Sequence, residues 1–95
     1  MNLVWPRRAA ADLRELRDYI AQDAPAAAKA TVVRIIETVE ATIPGNPQIG
    51  RPGRVSGTRE LVLGRTPYIV PYRIRAGSII ILRVLHGARR WPDRF

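Results

Sequence analysis

The sequence predicts a two-layer α+β domain, in which an N-terminal strand and a helical hairpin pack on a small, mainly antiparallel C-terminal sheet. Three observations carry that expectation. Up to residue 43 the apolar residues recur at the three-and-four spacing of helices. From residue 59 onward they alternate in twos, as strands do. Between these halves, residues 44–57 hold three prolines and four glycines, a composition that ends a helix and starts a loop.

Taken in order, residues 1–5 contain a short apolar stretch that reads as a strand. Pro6 then suits a helix entrance, because its fixed φ is already helical. Ala9, Leu13, Leu16, Tyr19 and Ile20 form one apolar stripe, with charged residues between them, so a helix is expected over 7–21. Asp23 and Pro25 announce a second helix over 24–43, with Asp23 as the cap. Its stripe is Ala28, Val32, Ile35, Ile36, Val39 and Ile43. The link between the helices is short, so they should run antiparallel.

Residues 44–58 read as a loop, and 59–64, 68–75 and 78–86 as three strands joined by tight turns. Ile79 to Leu82 is apolar at every position, which predicts a central strand covered on both faces. Pro71 removes a ladder donor, so a bulge or an unpaired amide is expected beside it. Residues 87–95 read as an irregular tail, and the whole of 1–95 as one domain.

Composition narrows the function classes. The chain has 95 residues and no cysteine, which removes disulfide scaffolds, thiolate nucleophiles and zinc–thiolate sites. No metal and no cofactor are expected. No signal peptide is visible, and no apolar run approaches the roughly 18 residues of a membrane span. A cytoplasmic protein without membrane contact is the expectation. The net charge is +8, and all of the excess lies in the second half. Residues 1–50 balance six basic against six acidic side chains, whereas residues 51–95 set ten arginines against Glu60 and Asp93. Lys29 is the only lysine. Solubilising surfaces use more lysine and mixed signs. An arginine surplus instead suits an anionic partner, either nucleic acid or an acidic protein segment.

Several strings go further. Ala11-Asp-Leu13 and Tyr19-Ile-Ala21 stand in the first helix, and Gly50-Arg-Pro-Gly53 and Gly57-Thr-Arg-Glu-Leu61 lead into the sheet. Pro67-Tyr-Ile-Val-Pro-Tyr-Arg73 and Ile81-Leu-Arg-Val-Leu-His-Gly-Ala-Arg89 follow in order. From Pro6 to about Pro92 the chain resembles the RelE/ParE toxins of bacterial type II toxin–antitoxin systems, with its last strands closer to the ParE branch. The resemblance implies a toxin with the family's two-layer fold. It also implies a cognate antitoxin whose acidic or amphipathic C-terminal segment wraps and silences it. ParE-like members act against DNA gyrase with no catalytic residue of their own. RelE-like members cut messenger RNA in the ribosome.

Site candidates follow from both branches. Cutting RNA without a metal requires one group to deprotonate the 2′-hydroxyl and another to protonate the leaving oxygen. Glu60 and His86 are the candidates for that pair, with Arg59, Arg73 and Arg83 holding phosphate. Gly87 counts against it, because ribonucleolytic relatives often carry an aromatic residue there. The alternative for His86 is a structural ring that anchors the tail. Arg59, Arg65, Arg73, Arg75, Arg83, Arg89 and Arg90, together with Trp91, are the candidate contacts to target or antitoxin. Trp91 has a second reading, as a lid folded back on the core. Arg83 interrupts an apolar strand and needs a carboxylate partner, for which Glu60 and an antitoxin side chain are the candidates. The leading expectation is a ParE-like gyrase toxin. A RelE-like ribonuclease and a non-toxic nucleic-acid-binding module are the alternatives.

Overall fold

The computed structural model describes residues 1–95. The elements are β1 (Asn2–Val4), α1 (Arg7–Ala21), α2 (Pro25–Thr42), β2 (Arg51–Pro52), β3 (Arg59–Val62), β4 (Tyr68–Arg75), β5 (Ser78–Ile81) and β6 (Leu85–His86). The strands form one sheet in the order β1-β5-β4-β3-β2, with β6 paired to β4 beyond the end of β5. β1 runs parallel to β5, and every other pairing is antiparallel.

The two helices cover one face of this sheet. Ala9, Leu13 and Leu16 of α1 meet Ile35 and Val39 of α2 over Val70, Tyr72, Ile79 and Ile81 of the strands. The alternation of β4 decides which side chains join them, since Val70 and Tyr72 point to the helices and Ile69, Pro71 and Arg73 to the opposite face. This is the predicted two-layer α+β arrangement. No helix is long and apolar enough to cross a membrane.

Four expectations change in detail. The segment 44–58 is not all loop, because Arg51 and Pro52 form β2 against Glu60 and Arg59. Asp23 does not cap α2. Pro25 occupies the first helical turn, so the cap falls on Ala24, which has no side-chain oxygen to offer. The β5 strand is central, but only one of its faces is fully covered: Ile79 and Ile81 are buried while Ile80 is half-buried.

The fourth change is the largest. The expected strand over 78–86 is two strands. Ile81 faces Tyr72 and Leu85 faces Ile69, so Leu82, Arg83 and Val84 span a stretch that Val70 and Pro71 cover with two residues. One extra residue in one strand is a β-bulge. It sits where the ladder lacks a donor, beside Pro71. The Pro71 carbonyl still accepts the Leu82 N–H at 2.9 Å, while the Val84 N–H turns to the Asp12 carboxylate at 2.9 Å. The bulge also shifts the alternation by one, which puts Val84 in the core beside Arg83, whose own face continues that of Ile79 and Ile81 and meets Asp12 of α1.

Candidate functional site

Asp12 is the residue that sequence reasoning passed over. It is 4% exposed and lies on the buried side of α1, three residues after Ala9 and four before Leu16. Its carboxylate accepts Arg83 Nε at 2.7 Å and an Arg83 terminal nitrogen at 3.1 Å, besides the Val84 N–H. Arg8, one turn earlier, approaches at 3.4 Å. The partner of Arg83 is therefore Asp12 and not Glu60. The signal was present in the sequence as an acidic residue on the apolar stripe and an arginine inside an apolar strand.

Glu60 has other work. It is 2% exposed, and Arg51 donates to its Oε1 from two nitrogens at 3.2 and 3.0 Å. The Arg54 backbone N–H donates to Oε2 at 2.7 Å. Glu60 thus ties the glycine-rich segment before β3 to the sheet. Tyr72 holds the same segment from the other face, its hydroxyl donating to the Pro47 carbonyl at 2.7 Å and accepting the Gly50 N–H at 2.8 Å. Gly50 is required there, because a Cβ would lie 2.7 Å from the Tyr72 ring. Arg59 donates to the Gly50 carbonyl at 2.7 Å and to that of Gln48 at 3.3 Å.

The five residues proposed for RNA cleavage do not converge. Side chains directly opposite each other in an antiparallel pair share a face. Glu60 is paired with Pro71 and His86 with Tyr68, and these partners are three apart on β4. Glu60 and His86 therefore point to opposite faces, with roughly 10 Å of strand between them. Arg73 shares the Glu60 face, Arg59 is opposite Tyr72, and Arg83 is committed to Asp12.

His86 belongs to a different neighbourhood. A groove of about 180 Å³ runs between α1 and residues 83–90, lined among others by Tyr19, Tyr68, His86, Arg89 and Arg90. The His86 and Tyr68 rings meet edge to face, with centroids 5.9 Å apart. His86 Nδ1 accepts the Ala88 N–H at 3.2 Å, which leaves the proton of the neutral ring on Nε2. Burial pushes the Tyr68 phenol above the usual tyrosine range, the charge of Arg89 opposing and Tyr19 adding a little. Arg89 lies over the Tyr19 ring at 5.1 Å.

Residues 87–95 form no helix or strand, but their first part is tied down. Gly87 N–H donates to the Pro67 carbonyl at 2.7 Å, and Trp91 Nε1 donates to the His86 carbonyl at 3.1 Å. The Arg54 guanidinium stacks on the Trp91 ring at 3.7 Å. Trp91 thus folds back onto the molecule. A Cβ on Gly87 would lie 3.0 Å from Ile69 Cδ1, so a larger side chain there would have to push that methyl aside. Arg65 stands in the β3–β4 turn, and Arg73 and Arg75 on the face away from the helices. No group of three or more histidine, aspartate and glutamate side chains is placed to hold a metal ion.

Comparison with known proteins agrees with the fold. Residues 3–91 match the family described as ParE toxin of type II toxin-antitoxin system, parDE. The candidate toxin Y4kP of Sinorhizobium fredii is 47% identical over 89 residues, covering 94% of this chain and 91% of that one. Toxin RelE2 of Caulobacter vibrioides is 38% identical over 88 residues, covering 93% and 97%. A solved structure described as the chromosomal ParDE TA system from P. aeruginosa superposes with a TM-score of 0.82 at 38% identity, covering 88% of this chain and 92% of that chain. The chain belongs to the RelE/ParE toxins of type II toxin–antitoxin systems, and its family match is to ParE.

Proposed function

We propose that this toxin acts in the cytoplasm as an inhibitor of DNA gyrase and is silenced by a cognate antitoxin, whose acidic or amphipathic C-terminal segment meets the arginine-rich half of the chain. The observation that carries the reading is the separation of Glu60 from His86. Glu60 is occupied structurally by Arg51 and the Arg54 amide, while the His86 ring accepts the Ala88 N–H. Acid–base cleavage of RNA needs two groups within reach of one phosphodiester. A toxin that works by binding needs only a surface, and the arginines supply one. The ParE family match favours the same branch. The candidate contacts on that surface are Arg65, Arg73, Arg75, Arg89, Arg90 and Trp91, with Arg59 and Arg83 as their structural supports.

A second reading has one observation in its favour. His86 and Tyr68 lie beside Arg89 and Arg90 in a single groove, and a relative that covers most of the chain is named Toxin RelE2. That reading is messenger RNA cleavage on the ribosome, with His86 rather than Glu60 at its centre.

Inducing the chain without its antitoxin separates the two. DNA breaks and an SOS response within minutes, with leucine incorporation continuing, are the expected result. Purified gyrase should then lose supercoiling activity in the presence of the chain. An immediate halt in translation with cut messages moves the function to the second reading.

A further inference from the structure

A second basic hollow lies between α2 and the β3–β4 turn. It has a volume of about 290 Å³, with Arg34 contributed by the helix and Arg65 by the turn. It continues into a smaller hollow of about 130 Å³ that shares Arg34 and Thr66. No acidic side chain lines either one. Neither arginine forms an ion pair, although Glu37 stands three residues from Arg34 on the same helix. Ile20 and Pro67 add an apolar wall. Thr31, also in the lining, donates its hydroxyl proton to the Ala27 carbonyl at 2.7 Å, so what it has left to offer is a lone pair.

The turn carries an independent signal. The Leu63 carbonyl accepts the Thr66 N–H at 3.3 Å and the Thr66 hydroxyl at 2.9 Å, which makes Gly64 and Arg65 the two central residues. Arg65 takes the left-handed φ of 64°, whereas Gly64, which could take it without strain, has no positive φ. Strain of this kind persists at binding sites, where the side chain has a use that outweighs it.

We propose that this hollow binds a small phosphate ester of the mononucleotide class, with Arg34 and Arg65 on its phosphate, Thr31 accepting from a sugar hydroxyl, and the base against Ile20 and Pro67. Two guanidinium groups match a dianionic phosphate better than a single carboxylate. Free inorganic phosphate would leave the apolar wall and the Thr31 lone pair unused. The volume is at the lower end of the roughly 300–1,000 Å³ of ligand pockets, which suits one nucleotide unit. Of the contact arginines proposed above, only Arg65 lies here, and nothing in the proposal depends on gyrase.

The test uses the purified chain alone, so its failure and that of the gyrase reading are distinguishable. Amide NMR spectra are recorded as adenosine monophosphate is added up to about 5 mM, a range that detects affinities down to roughly millimolar. Saturable shifts are expected at residues 31–34 and 63–67, with residues 85–90 unmoved. Adenosine, which lacks the phosphate, and inorganic phosphate, which lacks the body, should each bind at least about 10-fold more weakly. Arg34→Gln and Arg65→Asn should each weaken binding about 10-fold, the loss of one charge-assisted contact. Arg89→Ala/Arg90→Ala should change it by less than about 2-fold, being elsewhere on the surface. Asparagine tolerates the left-handed region, so Arg65→Asn should leave the melting temperature equal or higher. Shifts centred on residues 85–90, equal losses from the two sets of arginines, or adenosine binding as tightly as its monophosphate each overturn the site. So does tighter binding of a glutamate-rich peptide at the same residues, or no shift at the highest concentration. A melting temperature lowered by Arg65→Asn overturns the reading of the turn.

Discussion

Asp12 is where a single side chain does most for this fold. Three hydrogen bonds converge on a carboxylate that is 3% exposed, and they join α1 to the bulge between β5 and β6. Removing one partner of such a pair leaves the other charge buried without compensation, which costs about 3–5 kcal/mol. Asp12→Asn should therefore lower unfolding free energy by about 3 kcal/mol in urea titration, the low end because Arg83 keeps some solvent contact. Replacing both residues, as Asp12→Leu/Arg83→Met, should recover at least half of that loss; no recovery would mean that the Val84 amide, not the ion pair, is what Asp12 serves. Tyr68 supports a pH prediction. Its folded pKa is raised, so the folded state holds the phenolic proton more tightly than the unfolded chain does. The stability linked to it is complete below the unfolded value of about 10 and is lost as pH rises past it. Stability should thus fall on going from pH 9 to 11, and Tyr68→Phe should shrink that fall.

At the scale of elements, two local conflicts between residue type and position can be tested by substitution. The α2 cap is Ala24, held at φ −147° and ψ 78° with no side-chain acceptor. Serine or aspartate at a cap accepts a first-turn N–H and is worth roughly 1 kcal/mol over alanine. In the β4–β5 hairpin, Ala76 and Gly77 both adopt positive φ, at 51° and 79°. That two-residue turn prefers Asn-Gly, because alanine in the left-handed region presses its Cβ against the following carbonyl. Ala24→Ser and Ala76→Asn should each raise stability by about 0.5–1 kcal/mol, and they should add, being far apart. A thermal melt of the double variant checks both at once; a sum well below the two single effects would mean that one site relaxes in another way. The bulge in the last strand belongs to this scale too. Pro71 signalled a ladder defect, but the extra residue is in the neighbouring strand, where Asp12 could take the freed amide.

For the molecule as a whole, charge is the dominant constraint. The chain carries +8 in 95 residues, and Glu60 and Asp93 are the only acids among its last 45 residues. Self-repulsion of this kind opposes the compact state, while the exposed ion pairs that salt also weakens are worth little. Raising salt from about 20 to 200 mM shortens the screening length to below roughly 10 Å. The melting temperature of the isolated chain should then rise by about 2–4 °C, the equivalent of roughly half a kcal/mol. A fall instead would mean that surface pairs such as Arg17–Asp18 matter more than the net charge.

What the sequence by itself determined is the layer plan: the change of period near residue 59 separates helices from strands, and apolar stripes such as Leu13–Leu16 and Ile35–Val39 say which helix faces are buried. These are local signals, carried by neighbours along the chain. The family was legible as well, because its motifs are short strings in a set order. The partners of the charged residues were not legible. Arg83 meets Asp12 across 71 positions, and Glu60 meets Arg51 rather than His86. A pairing between distant segments depends on the register of β4 against its neighbours, and a one-residue bulge reverses which face a side chain takes. Only the folded sheet decides that phase, and only the fold decides which arginines meet a carboxylate inside and which, like Arg89 and Arg90, pair with none.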